Sequence, residues 1–418
     1  MNILLCGADG FLGRAIARRL EEAGHRVLRG VHHPRQPDDI AIDCQRDVQP
    51  EVWLPRVQGV DAVINAVGIL RERQAGDFAR IHHLAPAALF RACAEAGVQR
   101  VVQISALGVT DATPYLSSKQ AADAALLACF PCGATVLRPS LVFGQEGAST
   151  QFFMALASLP LLSIPLGVGK VQPVHVEDVT EAVQKTLESP STTASRVVDF
   201  PGARALTYAE WLETYRKLMG LPPAPHLPIP AFVMAATARL AGLFRRSLLC
   251  RDTWTMLALG NCGDTKAATA LLGRPLREPS AFTPPEAATS LRLNALALWR
   301  RPLLLGALAT IWFLTALVSA GLFPIQESLA LLLPFGLTGT AAKITLAAAV
   351  GLDALMGVLT LVKPHRRLWL MQLVLIVGYS LLIVWRLPEF LLHPFAPILK
   401  NLAVLALLVQ LYAEETQA

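Results

Sequence analysis

The sequence predicts an α/β protein: a doubly wound, Rossmann-type parallel sheet followed by an all-α bundle of four transmembrane spans. Three observations predict it. Short β-branched runs alternate with amphipathic helical patterns up to about Pro285, a glycine-rich turn follows the first run, and apolar stretches of membrane length begin at Pro302.

The first half is built from "NILLC", a helix after Phe11, "RVLRGV", "DAVINAV", a helix around Ala85 to Ala96, "RVVQIS", a helix from Tyr115, and "ATVLRPS". Strands that alternate with helices need crossover connections, so they pair in parallel. Beyond them "GLPPAPHLPIP", Gly220 to Pro230, opens a small substrate-side region whose order the pattern does not give. Residues 1–285 form the expected nucleotide-binding domain, 286–300 a linker and 301–418 the membrane domain.

Composition agrees with the division. Of 418 residues 53% are hydrophobic and 16% charged, which requires part of the chain to lie in lipid. Pro302 to Phe323, Ile344 to Val362 and Leu368 to Trp385 are each long enough to cross a bilayer. A fourth span runs from about Pro397 to Tyr412, with Lys400 inside it. Arg300, Arg301, Lys363, Arg366 and Arg367 lie on one side, and Lys343, Arg386 and Lys400 are what the other side offers. The bias places the N-terminal domain and the C-terminus in the cytoplasm and the spans in the inner membrane. Asp353 falls in the middle of the second span, where a carboxylate must be neutral, paired or facing water; Lys400 is its expected partner.

The net charge of +6 is spread out, without a basic stripe or interleaved aromatics, so nucleic acid is not expected as a partner. Seven cysteines, with no signal-peptide pattern, indicate a reducing compartment. Cys129 and Cys132 form a lone C-x-x-C, read as packing. No metal site is expected: His175 and Asp178 in "PVHVEDV" would be only two ligands and read as a structural turn.

In "GADGFLG" the first glycine allows a tight turn, the second lets the backbone approach a pyrophosphate, and the third lets helix and strand pack closely. Gly7, Gly10 and Gly13, with Asp9, Phe11 and Leu12 among them, are the expected dinucleotide cradle. An acidic residue at the end of the second strand would bind the ribose of NAD. Here "LRGVHHPRQ" offers Arg29, His32, His33 and Arg35, with no carboxylate until Asp38, so NADP(H) is favoured over NAD(H). In "YLSSK", Tyr115 and Lys119 stand four apart and share a helix face.

These motifs, with "RVVQISALG", "LRPSLVFG" and "PVHVEDV" in the same order, resemble the atypical and extended short-chain dehydrogenases/reductases. The branch most similar is the one related to the nucleotide-binding subunit of respiratory complex I. "DALMGVLTL" and "LPEFLLHPFAPILKNL" resemble the DoxX-like membrane domain. The resemblance implies that Tyr115 is the general acid or base and that Lys119 holds the nicotinamide ribose and lowers the tyrosine pKa. Ser105 would polarise the substrate oxygen. The Ser105 to Tyr115 spacing is ten residues, shorter than in classical members, and the place often held by asparagine falls to His82 or His83. The resemblance further implies that Asn65, Ala66, Val67 and Gly68 line the adenine and ribose side, that Asp43 meets the adenine amino group, and that Pro139 and Ser140, after Arg138, lie near the nicotinamide.

Three functions follow as expectations. One is a membrane-tethered NAD(P)-dependent oxidoreductase acting on a small or lipophilic carbonyl, hydroxyl or quinone-like substrate. Another is a non-catalytic nucleotide-binding subunit with a membrane redox partner. The third is a nucleotide-sugar or lipid-linked epimerase. Membrane lipid is the expected surrounding in each case.

Overall fold

A computed structural model describes residues 1–190, 192–244, 247–392 and 398–415. The chain divides into two units, Met1–Ala295 and Leu296–Ala418.

The first unit is organised by a seven-stranded parallel sheet: β1 (Asn2–Cys6), β2 (Arg26–Val31), β3 (Ile40–Ala41), β4 (Ala62–Asn65), β5 (Arg100–Ile104), β6 (Ala134–Pro139) and β7 (Arg196–Phe200). Its order is β7-β6-β5-β4-β1-β2-β3, so the direction of winding reverses between β1 and β4. That reversal opens a crevice above the carboxyl ends of the two strands, where open α/β sheets bind ligands. The central strands are apolar on both faces, and Ile3, Leu4 and Leu5 are fully buried, as a sheet covered by helices on both sides requires.

The helices are α1 (Phe11–Glu22), α2 (Pro50–Val57), α3 (Ala85–Glu95), α4 (Pro114–Cys129), α5 (Ala148–Ala157), α6 (Val176–Glu188), α7 (Tyr208–Leu218), α8 (Ala231–Ala241), α9 (Arg251–Leu259) and α10 (Lys266–Leu272). One apolar layer joins Ile3 and Leu5 to Ile16 and Leu20 of α1, Val183 of α6 and Leu272 of α10. The other joins Leu4 and Val63 to Trp53 of α2, Phe90 of α3 and Leu126 of α4. A third cluster, around Phe143, Phe153, Trp211, Tyr215 and Phe282, forms the substrate-side region that the sequence pattern did not order. Two short parallel pairs extend this region: Val142–Phe143 with Val174–His175, and Leu162–Pro165 with His226–Ile229.

The second unit contains most of α11 (Ala288–Leu317), then α12 (Ile325–Ala330), α13 (Gly339–Val362), α14 (Arg366–Arg386), α15 (Glu389–Leu392) and α16 (Asn401–Glu414). The expected linker over 286–300 is largely the start of α11. Among the described residues, three helical segments have membrane length and apolarity: Pro285–Leu322, Gly339–Val362 and Arg366–Arg386, with mean hydropathies of 2.1, 2.0 and 2.1. They match the first three expected spans. Over the fourth expected span lies α16, whose 14 residues rise about 21 Å, short of the roughly 30 Å hydrocarbon core; among the described residues it does not reach membrane length. Its expected start at Pro397 lies outside the described residues.

Leu308, Trp312, Met356, Trp369, Leu408 and Leu411 pack together inside this unit. Polar groups tie the helices: the Trp312 indole N–H donates to Gln372 Oε1 at 2.9 Å, and the Gln372 amide donates to Thr360 Oγ1 at 2.9 Å. Asp353 is buried on α13, but no ion pair joins it to Lys400 among the described residues, contrary to expectation. Lys400 stands just before α16, where its stem is exposed instead of entering the bundle.

Candidate active site

The turn from β1 into α1 is shaped by its glycines. Gly7 has a φ of +81°, a conformation that favours glycine, and a Cβ on Gly13 would lie 1.9 Å from the Gly7 carbonyl oxygen. Gly10 N–H donates to the Gly7 carbonyl at 3.0 Å, and Gly7 N–H to the Gly30 carbonyl at 2.8 Å, which fixes the turn against β2. α1 begins at Phe11 without a side-chain cap, so its first N–H groups remain available to an anion. Asp9 is exposed, and its carbonyl accepts from the Arg14 guanidinium.

After β2 the loop curls around Asp39, a carboxylate the sequence reading did not single out. Its Oδ2 accepts the N–H groups of Arg35 and Gln36 at 2.8 and 3.0 Å, and its Oδ1 lies 3.7 Å from Arg29 Nε. Those two backbone donors hold its carboxyl below the usual carboxylate range. Arg29 is therefore partly neutralised, while His32, His33 and Arg35 stay exposed. Asp43 is engaged locally, accepting from Gln45 N–H and lying 3.6 Å from Arg46.

Asn65, at the end of β4, is buried. Its amide donates to Gln103 at 2.8 Å and its carbonyl accepts Val67 N–H at 3.2 Å, so it shapes the turn through Ala66, Val67 and Gly68. The buried Lys119 ammonium donates to the Val67 carbonyl at 3.0 Å and the Ile104 carbonyl at 3.2 Å. A Cβ on Gly68 would approach Lys119 Nζ to 3.1 Å, so Gly68 packs directly against the ammonium. Burial pushes the Lys119 amine down to about 8, against an upward pull from Asp123.

Thr113 caps α4 by accepting Leu116 N–H at 3.3 Å, which places Tyr115 in the first turn and Lys119 one turn later on the same face. The Tyr115 ring meets Phe78 and His82 edge-on, with centroids 5.9 and 5.3 Å away. Burial pushes its hydroxyl up to about 12. His82 lies in a π-helical turn, Ala79–Leu84, ahead of α3. Its Nε2 accepts Ile69 N–H at 3.0 Å and its Nδ1 is 3.0 Å from Ser118 Oγ, whose hydroxyl donates to the Tyr115 carbonyl at 2.8 Å. This pattern assigns the proton to Nδ1, and burial, then Lys119, pushes the imidazole down to about 2. Of the two histidines that could take the asparagine's place, His82 reaches the site's hydrogen-bond chain.

Ser105, at the end of β5, donates its hydroxyl to Asp123 Oδ2 at 2.9 Å, and Arg138 Nε donates to the same oxygen at 2.9 Å. The donor role expected of Ser105 would require that bond to break. Burial raises the Asp123 carboxyl despite both partners. Asp123 lies one turn beyond Lys119, a spacing legible in the sequence but not used there. Ser140 donates to the Gln172 carbonyl. His175 caps α6, and Asp178 is buried against Arg274 at 2.7 Å, so both hold the fold together. Among the described residues, no three His, Cys, Asp or Glu side chains converge as a metal site would require.

Tyr115, Leu12, Pro139 and Ser140 share the wall of a cavity of about 300 Å³ with Leu107, Val109, Phe152, Leu248, Met256 and Leu257. Among the described residues, none that lines it is charged. The arrangement can present one phenolic proton donor to a substrate oxygen in a largely apolar chamber beside the glycine cradle.

Residues 3–198 match the NAD dependent epimerase/dehydratase family, and residues 309–409 match the DoxX-like family. The chain is 30% identical over 251 residues to NADH dehydrogenase [ubiquinone] 1 alpha subcomplex subunit 9, mitochondrial, of Arabidopsis thaliana, covering 55% of this chain and 61% of that one. It spans 66% of the Rattus norvegicus counterpart. It is 27% identical over 276 residues to the ceramide reductase of Caulobacter vibrioides, covering 60% of this chain and 85% of the relative. Among solved structures, MoeE5 in complex with UDP-glucuronic acid and NAD superposes with a TM-score of 0.54 at 20% identity, over 71% of this chain and 100% of that one. Human epimerase family protein SDR39U1 with NADPH gives 0.53 at 19%, over 71% and 99%. These two likenesses establish the fold alone.

Proposed function

We propose, from the premise that this chain joins an NAD dependent epimerase/dehydratase-family domain to a DoxX-like domain, that it is a membrane-tethered NADP(H)-dependent oxidoreductase reducing a lipophilic carbonyl. The observation that carries this reading is the uncharged cavity into which Tyr115 is built. The nicotinamide, when bound, supplies the hydride. Tyr115, protonated at neutral pH because burial holds it near 12, donates its proton to the substrate oxygen as charge develops there. Lys119 offsets the resulting phenolate charge, and the His82–Ser118 chain fixes the first turn of α4. Asp123, held by Ser105 and Arg138, fixes the part of α4 one turn from Lys119.

The glycine cradle would hold the pyrophosphate. His32, His33 and Arg35 suit a 2′-phosphate, since Asp39 is already committed to backbone donors and Arg29 and is poorly placed to bind ribose hydroxyls. The Caulobacter relative's name, ceramide reductase, agrees with a long-chain substrate. The spans would hold the protein in the cytoplasmic membrane with the N-terminal unit on the cytoplasmic side, as the positive residues around them suggest. A nucleotide-sugar epimerase is less well supported, because among the described residues the cavity lining holds no Lys or Arg to meet a diphosphate.

A second reading, a nucleotide-binding subunit without turnover, is favoured by one observation. The Lys119 ammonium is turned to the Val67 and Ile104 carbonyls, and no hydrogen bond joins it to Tyr115 among the described residues. The mitochondrial relatives, named as subunits of an NADH dehydrogenase, agree with it. The full chain in lipid nanodiscs, supplied with NADPH and either a long-chain 3-ketone or a four-carbon ketone, separates the two. The enzyme reading expects absorbance at 340 nm to fall with the long-chain ketone alone. A nucleotide that copurifies and is never oxidised by any carbonyl would favour the subunit reading.

A further inference from the structure

The outer surface of α8 and the turn after it is apolar where a water-facing helix would be polar. Phe232 is 75% exposed, Leu240 66%, Leu243 78% and Phe244 71%. Phe232, Ala236, Leu240 and Leu243 follow i, i+4, i+8, i+11 and so form one stripe. Isolated exposed apolar residues are ordinary, but a contiguous set marks a contact surface.

Charge says what kind of surface it meets. No Asp or Glu occurs between Glu213 and Asp252, while Arg239, Arg245, Arg246 and Arg251 follow one another through this segment in the sequence. An apolar stripe in a segment whose sequence is basic and free of carboxylates, with Arg239 and Arg251 exposed, matches a lipid headgroup layer, apolar below and anionic above. The chain carries membrane-length helices in its second unit, so lipid is the abundant apolar partner.

The same segment is built onto the cavity. The Arg71 guanidinium donates to the Gly242 carbonyl and, at 2.8 Å, to the Phe244 carbonyl, holding the end of α8 against the loop that begins at Gly68. Leu70, on that loop, lines the cavity, and so do Leu248, Leu249, Met256 and Leu257 on or before α9. α9 has no fully buried residue, and Thr253, Met256, Leu257 and Leu259 on it line the cavity.

We propose that α8 and α9 form a membrane-seated portal: the apolar stripe of α8 dips into the lipid surface, and α9 admits a lipophilic substrate from the bilayer to Tyr115 without passage through water. The portal rests on the proposed reduction of a lipophilic carbonyl, and its tests need no turnover.

The full chain, with exposed Cys132 and Cys262 replaced by serine, is reconstituted in nanodiscs containing acyl-chain spin-labelled lipid. A fluorophore on Leu243→Cys should lose fluorescence to a degree comparable with one on Leu381→Cys, an exposed position of α14, while one on Gln58→Cys in the first unit should lose none. In the second test Met256→Cys is treated with a dodecyl maleimide dissolved in the lipid or a sulfonated maleimide in water, and the labelled peptide is quantified by mass spectrometry. The portal expects faster labelling by the dodecyl reagent, slowed when Phe232, Leu243 and Phe244 are all changed to serine. An unquenched Leu243 label overturns the proposal, including the case in which mass photometry shows a second copy covering the face. Quenching with equal labelling rates leaves a membrane contact only and overturns the portal. Failure of the parent to oxidise NADPH would sink the reductase reading and leave both of these results standing.

Discussion

Gly13→Ala puts a methyl group where the turn has no room. The new Cβ would lie 1.9 Å from the Gly7 carbonyl oxygen and 2.9 Å from Ala8 Cα, both backbone atoms that cannot rotate away. Restoring even a tight 3.0 Å contact moves the start of α1 outward by about 1.1 Å, the difference of the two distances. Ile16, Ala17 and Leu20 of the same helix are buried, so the shift loosens the core as well. Overpacking of this kind costs about 1–3 kcal/mol, and a misplacement of about 1 Å lowers binding or rate by up to about a hundredfold. Gly24→Ala is the control: it has a φ of +81° with no atom within 4 Å of the added Cβ, so it strains the backbone far from the cradle. Titration calorimetry with NADPH and urea unfolding are run on both variants. Both should lose stability, and Gly13→Ala alone should lose at least about tenfold in NADPH affinity, equivalent to 1.4 kcal/mol. Parent-like affinity in Gly13→Ala would refute the assignment of this turn to the dinucleotide.

Arg35→Ala should weaken NADPH binding several-fold and leave NADH unchanged, measured by the same titration; equal losses for both would remove the 2′-phosphate assignment. The Lys119 amine, held near 8 by burial, is neutral and nucleophilic above that pH, so its acylation should reach half its maximal rate near pH 8. Because its folded pKa lies below the ordinary value, the charged form is disfavoured in the folded chain, and the parent should gain stability relative to Lys119→Met as pH rises from about 8 to 10.5. In the membrane unit, Gln372→Leu removes two interhelical hydrogen bonds worth about 0.6 kcal/mol each. A loss of about 1 kcal/mol in detergent unfolding is expected, and an unchanged midpoint would mean that the network does not tie the helices.

Much of the candidate site's local geometry was legible in the sequence because it depends on local spacing. Gly7, Gly10 and Gly13 shape the turn through sterics between near neighbours, and the helix face shared by Tyr115 and Lys119 follows from helix pitch. What escaped depends on where distant segments fold. Asp39 could not be read as the centre of its loop, because that role is set by backbone donors at Arg35 and Gln36 and by Arg29 across the strand. Ser105 looked free to meet a substrate because Asp123 and Arg138 come from another helix and another strand. The expected pairing of Asp353 with Lys400 treated depth in the bilayer as the only constraint, whereas Lys400 stands before α16 with its stem exposed. The residues from Leu248 to Gly260 that wall the cavity carry no motif, and only packing assigns them a role.

The central claim is that Tyr115 delivers a proton during hydride transfer from a bound nicotinamide. Single-turnover oxidation of prebound NADPH by a long-chain ketone, in the full chain and in Tyr115→Phe, tests it most directly. The account predicts a rate loss of about 10²- to 10⁴-fold, or about 2.7 to 5.4 kcal/mol in the barrier, with NADPH affinity unchanged. Equal single-turnover rates in the two proteins would contradict it.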